Sequence, residues 1–451
     1  MTKYKNIILI AFMLAIFTIT TTRAAITCIT YDEAYTYTAY VQRATALKDY
    51  LLAKFKIKVQ TPAADNIKNQ SQDQLKLQAF PGFMNFSFHD KVKAALSLLI
   101  ANNHILNTLC ITLVEFLFNT HYDEFAIRLP VLIFFAIYLF AVYKCYKNNL
   151  ISFTCAFLLC GNYYLCEFYG LARGYGYAHT LLFLVCIAYI YWQNSNFNEN
   201  KYLIALMTLL LLAASANTIS LLIFPAFGAL TLFRLYQQDN LKKFILSHKI
   251  FVSSFFIIAF MLVAYHLLIS KSGKPLFTGT WIEGRDNFYS AVVLSFASML
   301  VDNITVANIL TALISALALI AFVISIIKNK IKNCDFVLML IIFILTNVLM
   351  EFITHKGYMT DRVVLPFYCF IIFALRELFR DFKIKYLNIA LCALCLISFA
   401  SQIDLHATRD WHDNYHCRDK ILKFYMTGQD YIHNAEAIEN FYKLKYAEII
   451  K

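Results

Sequence analysis

Two carboxylates stand side by side at Asp32 and Glu33, in the stretch ITYDEAYTYTAY that follows the first long apolar run. Acids at a membrane surface are costly unless they are solvated, paired or used. Other polar residues recur beside later apolar runs. His104 opens NNHIL at the head of a short apolar stretch, where the unsatisfied N–H groups of a helix start favour an anion. Arg173 sits in FYGLARGYGY, and Lys356, Tyr358 and Arg362 sit in THKGYMTDRVVLPF. Arginine holds phosphate oxygens bidentately, and a half-buried carboxylate suits a general base. Together these types fit displacement of a phosphate leaving group by a hydroxyl or amine. The base takes the acceptor's proton while the cations hold charge growing on the departing phosphate. Each residue also has a plainer reading. Arg173 and Arg362 would snorkel, His104 would close a helix end, and Asp361 would pair with Arg362.

Such groups need a scaffold, and composition says which kind. Of 451 residues 60% are hydrophobic and only 15% charged, with mean hydropathy +0.58. Soluble proteins carry about 25% charged residues, so the expectation is an all-α, polytopic membrane protein. The net charge of +12 reads as topology and anionic-lipid contact. No basic stripe interleaved with aromatics marks a nucleic-acid surface. With 11 Gly and 6 Pro there is no glycine-rich phosphate loop. Most cysteines lie in apolar runs, where they behave as small hydrophobes. Cys392 and Cys395 form a C-x-x-C inside a span with no second pair, which argues against a metal or redox site. Cys28 and Cys417 fall near the expected outer surface.

The apolar run 7–22, followed by Arg23-Ala24-Ala25, has the form of a signal peptide with a small-residue cleavage site; an uncleaved first span completed by 24–28 is preferred, because cleavage near Ala25 would leave Asp32 close to a free terminus. Residues 30–103 form the first external loop, whose Tyr35, Tyr40, Leu47, Tyr50, Leu51 and Phe55 have the amphipathic spacing of an interfacial helix. The run 104–118 is short against the roughly twenty residues a crossing takes, and reads as interfacial or re-entrant. Further spans are expected at 127–143, 151–168, 175–192, 202–217, 219–235, 250–270, 304–327, 336–354, 363–379 and 387–401. That makes about eleven transmembrane helices in a domain 1–401, followed by an external tail 402–451. Loop charge selects this topology. With the N-terminus inside, and 104–118 not crossing, the dense lysine and arginine clusters after 143, 235, 327 and 379 all fall inside. Asp32, His104, Arg173, the segment 270–301 with Trp281, Glu283, Arg285 and Asp286, the stretch 355–362 and the tail then share the outer face. His406, His412, His416 and Cys417 begin that tail without zinc-finger spacing.

Five stretches occur in order: YDEAYT, NNHIL, EFAIRLPVL at 124–132, LARGYGYA at 171–178 and DRVVLPF at 361–367. The ordered set resembles the bacterial GT-C superfamily glycosyltransferases, of the protein-mannosyltransferase-like and aminoarabinose-transferase-like kind, over roughly 7–379. The resemblance implies a GT-C fold in the bacterial cytoplasmic (inner) membrane with an external active site. It implies a polyprenyl-phosphate-linked sugar donor, a lipid or glycan acceptor and inversion at the anomeric carbon. Asp32 takes the place of the family's base, with Glu33 as its neighbour. His104 matches a phosphate contact and Arg362 the late arginine. Departures are plain. Ile105 and Leu106 replace two prolines, Leu171 replaces an acid before Ala-Arg while Glu167 lies a helical turn earlier, and Val363 replaces an aromatic. No cofactor is certain; a divalent metal stays open, although the departure at Leu171 weakens it. Two other readings compete. A lipid-linked glycan transporter or flippase would need midplane charges and paired broken helices, and no span is interrupted by a Gly/Pro pair. A non-catalytic assembly protein on the same scaffold has less reason to keep Asp32.

Overall fold

A computed structural model describes residues 2–27, 29, 33, 36–37, 104–118, 123–271, 334–354, 365–378, 388–389, 391–393 and 395–396. Of these, 88% are helical and none is in a strand. Most of the loop 30–103, the segment 272–301, the expected span 304–327 and the tail 402–451 lie outside the described residues. The chain divides into two compact units, Met1–Ala24 with Val131–Leu405, and Ala25–Pro130 with His406–Lys451.

The described helices are α1 (Thr2–Ile26), α2 (Ile105–Phe118), α3 (Glu124–Lys147), α4 (Phe153–Cys160), α5 (Tyr163–Tyr169), α6 (Gly174–Asn194), α7 (Asn200–Ala216), α8 (Phe224–Gln237), α9 (Leu241–Ser247), α10 (Lys249–Lys271), α11 (Asp335–Thr354) and α12 (Tyr368–Leu378). Short 3-10 turns at Thr218–Ile223 and Leu365–Phe367 lead into α8 and α12. Among the described residues four helices are long and apolar enough to cross a membrane, or five if α9 and α10 count as one bent span. At 1.5 Å per residue, the 25 residues of α1 reach about 37 Å, more than the roughly 30 Å hydrocarbon core.

Two faces of these helices show what they are built for. In α1, Leu9, Met13, Ile16, Thr20 and Arg23 recur at helical spacing and are buried, while Ile7, Ile8 and Leu14 on other faces are exposed. Phe12 stacks on Phe157 at 4.2 Å and Phe17 on Phe135 at 6.0 Å. In α3, Phe135, Tyr138 and Val142 are buried, but Ile133, Ile137 and Phe140 stay 51%, 43% and 61% exposed. Phe256, Ile257, Phe260 and Met261 do the same in α10. Apolar stripes of this size suit an apolar surrounding such as a lipid bilayer.

The expected continuous span at 151–168 is instead broken. Ser152 caps α4 by accepting the Cys155 N–H at 3.1 Å. The helix stops at Gly161, and α5 restarts at Tyr163. A Cβ at Gly161 would sit 3.1 Å from the Phe157 carbonyl and 3.4 Å from Phe12, so glycine permits the close approach there. Carbonyls freed by a break at membrane depth must find donors. Tyr368 donates to Leu158 O at 2.7 Å, Tyr138 to Leu159 O at 2.8 Å, and Cys395 to Gly161 O at 3.4 Å. Hydropathy reads straight through such a break, because the stitching donors lie far away in sequence.

Helix α6 is the centre of the larger unit and is buried on nearly every face. It packs against α7, α5 and α12. Gly176 makes its approach to α5 close: a Cβ there would meet the Tyr169 ring and Val131 at 2.8 Å. Around it Tyr169 stacks on Phe135 at 4.3 Å, and its hydroxyl meets His179 Nδ1 at 3.0 Å and Thr180 Oγ1 at 2.6 Å. A polar clasp joins four helices of this unit. Asp335, fully buried at the head of α11, accepts hydrogen bonds from Tyr189 at 2.8 Å and Gln193 at 3.4 Å and pairs with Arg234 of α8. Glu377 of α12 caps the same helix by accepting from the N–H groups of Phe336 at 2.8 Å and Val337 at 3.2 Å.

Candidate active site

Helix α3 begins with a cap that its sequence dictates. Asp123 precedes it and accepts the N–H groups of Phe125 at 2.8 Å and Ala126 at 3.2 Å. This places Arg128 in the second turn, inside the apolar stretch EFAIRLPVL, with no exposure to solvent. A guanidinium there must be fully answered. Its Nε donates to Glu33 Oε1 and its Nη2 to Glu33 Oε2, both at 2.8 Å. Nη1 donates to the Thr27 carbonyl at 2.7 Å and meets Thr27 Oγ1 at 3.1 Å. Thr27 follows the end of α1 directly, so one arginine ties the exit of α1 to the acidic segment beyond it. The parallel, two-pronged geometry is the strongest form of carboxylate pairing.

The resemblance sets Glu33 beside Asp32 as a catalytic pair; in the structure both carboxylate oxygens of Glu33 accept from Arg128. The signal for Arg128 in the sequence is a lone arginine inside an apolar run, two residues before Pro130, and its partner shows only in the structure. His104 lies where NNHIL predicts, immediately before α2, and is buried. Its carbonyl accepts the Thr108 N–H at 3.1 Å, starting the helix. At 14 residues α2 is as short as expected.

In the other unit, Arg173 adopts an extended backbone (φ −130°, ψ 155°) directly before α6. It is buried, and its guanidinium lies 5.4 Å from the Tyr175 ring centre. Glu167 on α5 and Arg23 on α1 are buried as well. Arg23, Glu167 and Arg173 are all engaged by neighbouring groups. Hydropathy places Arg23 at the edge of an apolar run, and only the packed structure shows that it is buried. Asp32, Lys356, Tyr358 and Arg362 lie outside the described residues. So do the tail residues His406, His412, His416 and Cys417.

Comparison with known proteins returned nothing: no protein-family model, no curated protein and no solved structure matches the chain.

Proposed function

We propose that this chain is a membrane glycosyltransferase of the GT-C kind, with about eleven spans, that moves a sugar from a polyprenyl-phosphate donor to an acceptor outside a bacterial cytoplasmic membrane. The observation that supports it most is the Glu33–Arg128 pair, because it holds rigidly the residue adjoining Asp32. A general base must be positioned before its pKa matters. In this reading Glu33 is the positioning acid and Asp32 the base. Asp32 takes the proton from an acceptor hydroxyl or amine. The acceptor atom bonds to the anomeric carbon as the carbon–oxygen bond to phosphate breaks, with inversion. Arg173, His104, Lys356, Tyr358 and Arg362 hold the phosphate, and the donor's lipid tail stays in the bilayer. A divalent ion bound to the phosphate is compatible with this scheme and no step depends on one.

The test is mass spectrometry of cell-envelope glycans with and without the chain, complemented by wild type or by Asp32→Asn. The expected result is a glycan lost on deletion, restored by wild type and not by the variant. An unchanged envelope would overturn the reading, and movement of a lipid-linked glycan across vesicles with no new glycosidic bond would replace the enzyme by a transporter.

A further inference from the structure

We propose that the corner between α8 and α10 is a binding site for one anionic phospholipid, in which Lys242 holds the phosphate and a neighbouring groove takes an acyl chain. The inference concerns the scaffold and does not depend on the transfer reaction. The corner is built by its backbone. After α8, Asp239 takes a left-handed conformation (φ 51°), and Asn240 donates to Leu235 O at 3.0 Å. This closes α8 and turns the chain into α9. The Asn240 side chain then donates to Asn198 Oδ1 at 3.2 Å, which pins the corner. Helix α9 meets α10 at 89°. If α10 crosses the bilayer, as its exposed apolar face requires, α9 lies along the membrane surface.

The face of α9 matches that position. Phe244 is buried and stacks on His248 at 5.0 Å, whereas Ile245 and Leu246 are exposed. Those two lie three and four positions beyond Lys242, beside it on the same face of the helix. Tyr236, Asp239, Leu241, Lys242, Ile245 and Leu246 line a groove of about 430 Å³, within the span of about 300–1,000 Å³ usual for ligand clefts. An apolar trough with a lysine at its edge is complementary to an acyl chain carrying a phosphate. Lys243 and Lys249 add positive charge on the neighbouring positions, and the single acid lining the groove, Asp239, leaves the corner net cationic. The positive-inside pattern assigns the same lysines to the leaflet richest in anionic lipid.

The full chain is reconstituted in nanodiscs of equal phosphatidylglycerol and phosphatidylcholine, and lipids retained through native mass spectrometry are counted. Wild type should keep phosphatidylglycerol in preference to phosphatidylcholine. Lys242→Gln should weaken that retention about fivefold, the worth of one lysine at an anionic surface. Ile245→Ser should weaken it without changing charge, and Lys147→Gln, an exposed lysine on α3, should not. Equal retention of the two lipids by wild type, equal retention by the Lys242→Gln variant, or a dimer of the chain with no lipid bound would each overturn the proposal. Unchanged melting temperatures show that the variants fold.

Discussion

Two buried ion pairs divide the labour in this protein, and they are built in opposite ways. In Glu33–Arg128 the arginine is the hub. Among the described residues it serves Glu33 and the carbonyl and hydroxyl of Thr27, and both members of the pair are wholly enclosed. In Arg234–Asp335 the acid is the hub. It gathers an arginine from α8 and a tyrosine and an amide from α6, and Arg234 keeps slight contact with the outside. A hub arginine that reaches a backbone carbonyl fixes where a chain segment leaves a helix. A hub acid at a helix head fixes how helices stand against one another. The first arrangement therefore belongs to positioning and the second to assembly.

The largest effect should come from breaking the first pair by halves. Arg128→Met removes the buried guanidinium that both Glu33 carboxylate oxygens accept from, which costs about 3–5 kcal/mol. Thermal unfolding in detergent should show the loss. Arg128→Lys should not recover it, because an ammonium cannot meet both oxygens in parallel. A rescue by lysine would mean that charge alone matters and that the two-pronged geometry does not.

Next come the double replacements, which separate the two designs. Glu33→Leu with Arg128→Met removes both charges and should recover most of the stability lost in the single variant. Transfer activity should stay low in it, because the segment beside Asp32 is no longer held. Asp335→Leu with Arg234→Met should remain destabilised by about 1–3 kcal/mol, since the buried Tyr189 hydroxyl loses its acceptor, while residual transfer should follow folded protein. Equal recovery in both doubles would erase the distinction drawn here.

The smallest effect is a neutral control. Tyr368→Phe removes the donor to Leu158 O at the break between α4 and α5 and should cost roughly 1 kcal/mol. The same break bears on the transporter reading. A discontinuous helix is where a transporter would bind its substrate, yet three of these freed carbonyls are held by Tyr138, Tyr368 and Cys395. A drop in stability with no change in substrate affinity would agree with a stitched break.

Much of this was legible beforehand. Apolar periodicity located the helices around 7–28, 127–143, 175–192 and 336–354 because local burial and helical spacing agree there. The shortness of α2 followed from counting residues. The break at Gly161 was not legible, since hydropathy measures oiliness and the donors that make the break tolerable come from α3, α12 and Cys395. Arg128 within one apolar run and Asp335 at the head of another are hard to interpret for a related reason. Each looks like an isolated charge until the partner, 95 or 101 residues away, is placed beside it. The adjacency of Asp32 and Glu33 suggested a shared duty, and only pairing in space shows what occupies Glu33.

The most direct measurement is the rate of sugar transfer by purified, reconstituted protein carrying Asp32→Asn, compared with Glu33→Gln at matched folded fraction. The account predicts that Asp32→Asn keeps the wild-type melting temperature and loses about 10²–10⁴-fold in rate, the usual worth of a general base, whereas Glu33→Gln loses both stability and rate, the rate by less than Asp32→Asn. Wild-type transfer by a well-folded Asp32→Asn protein would contradict it.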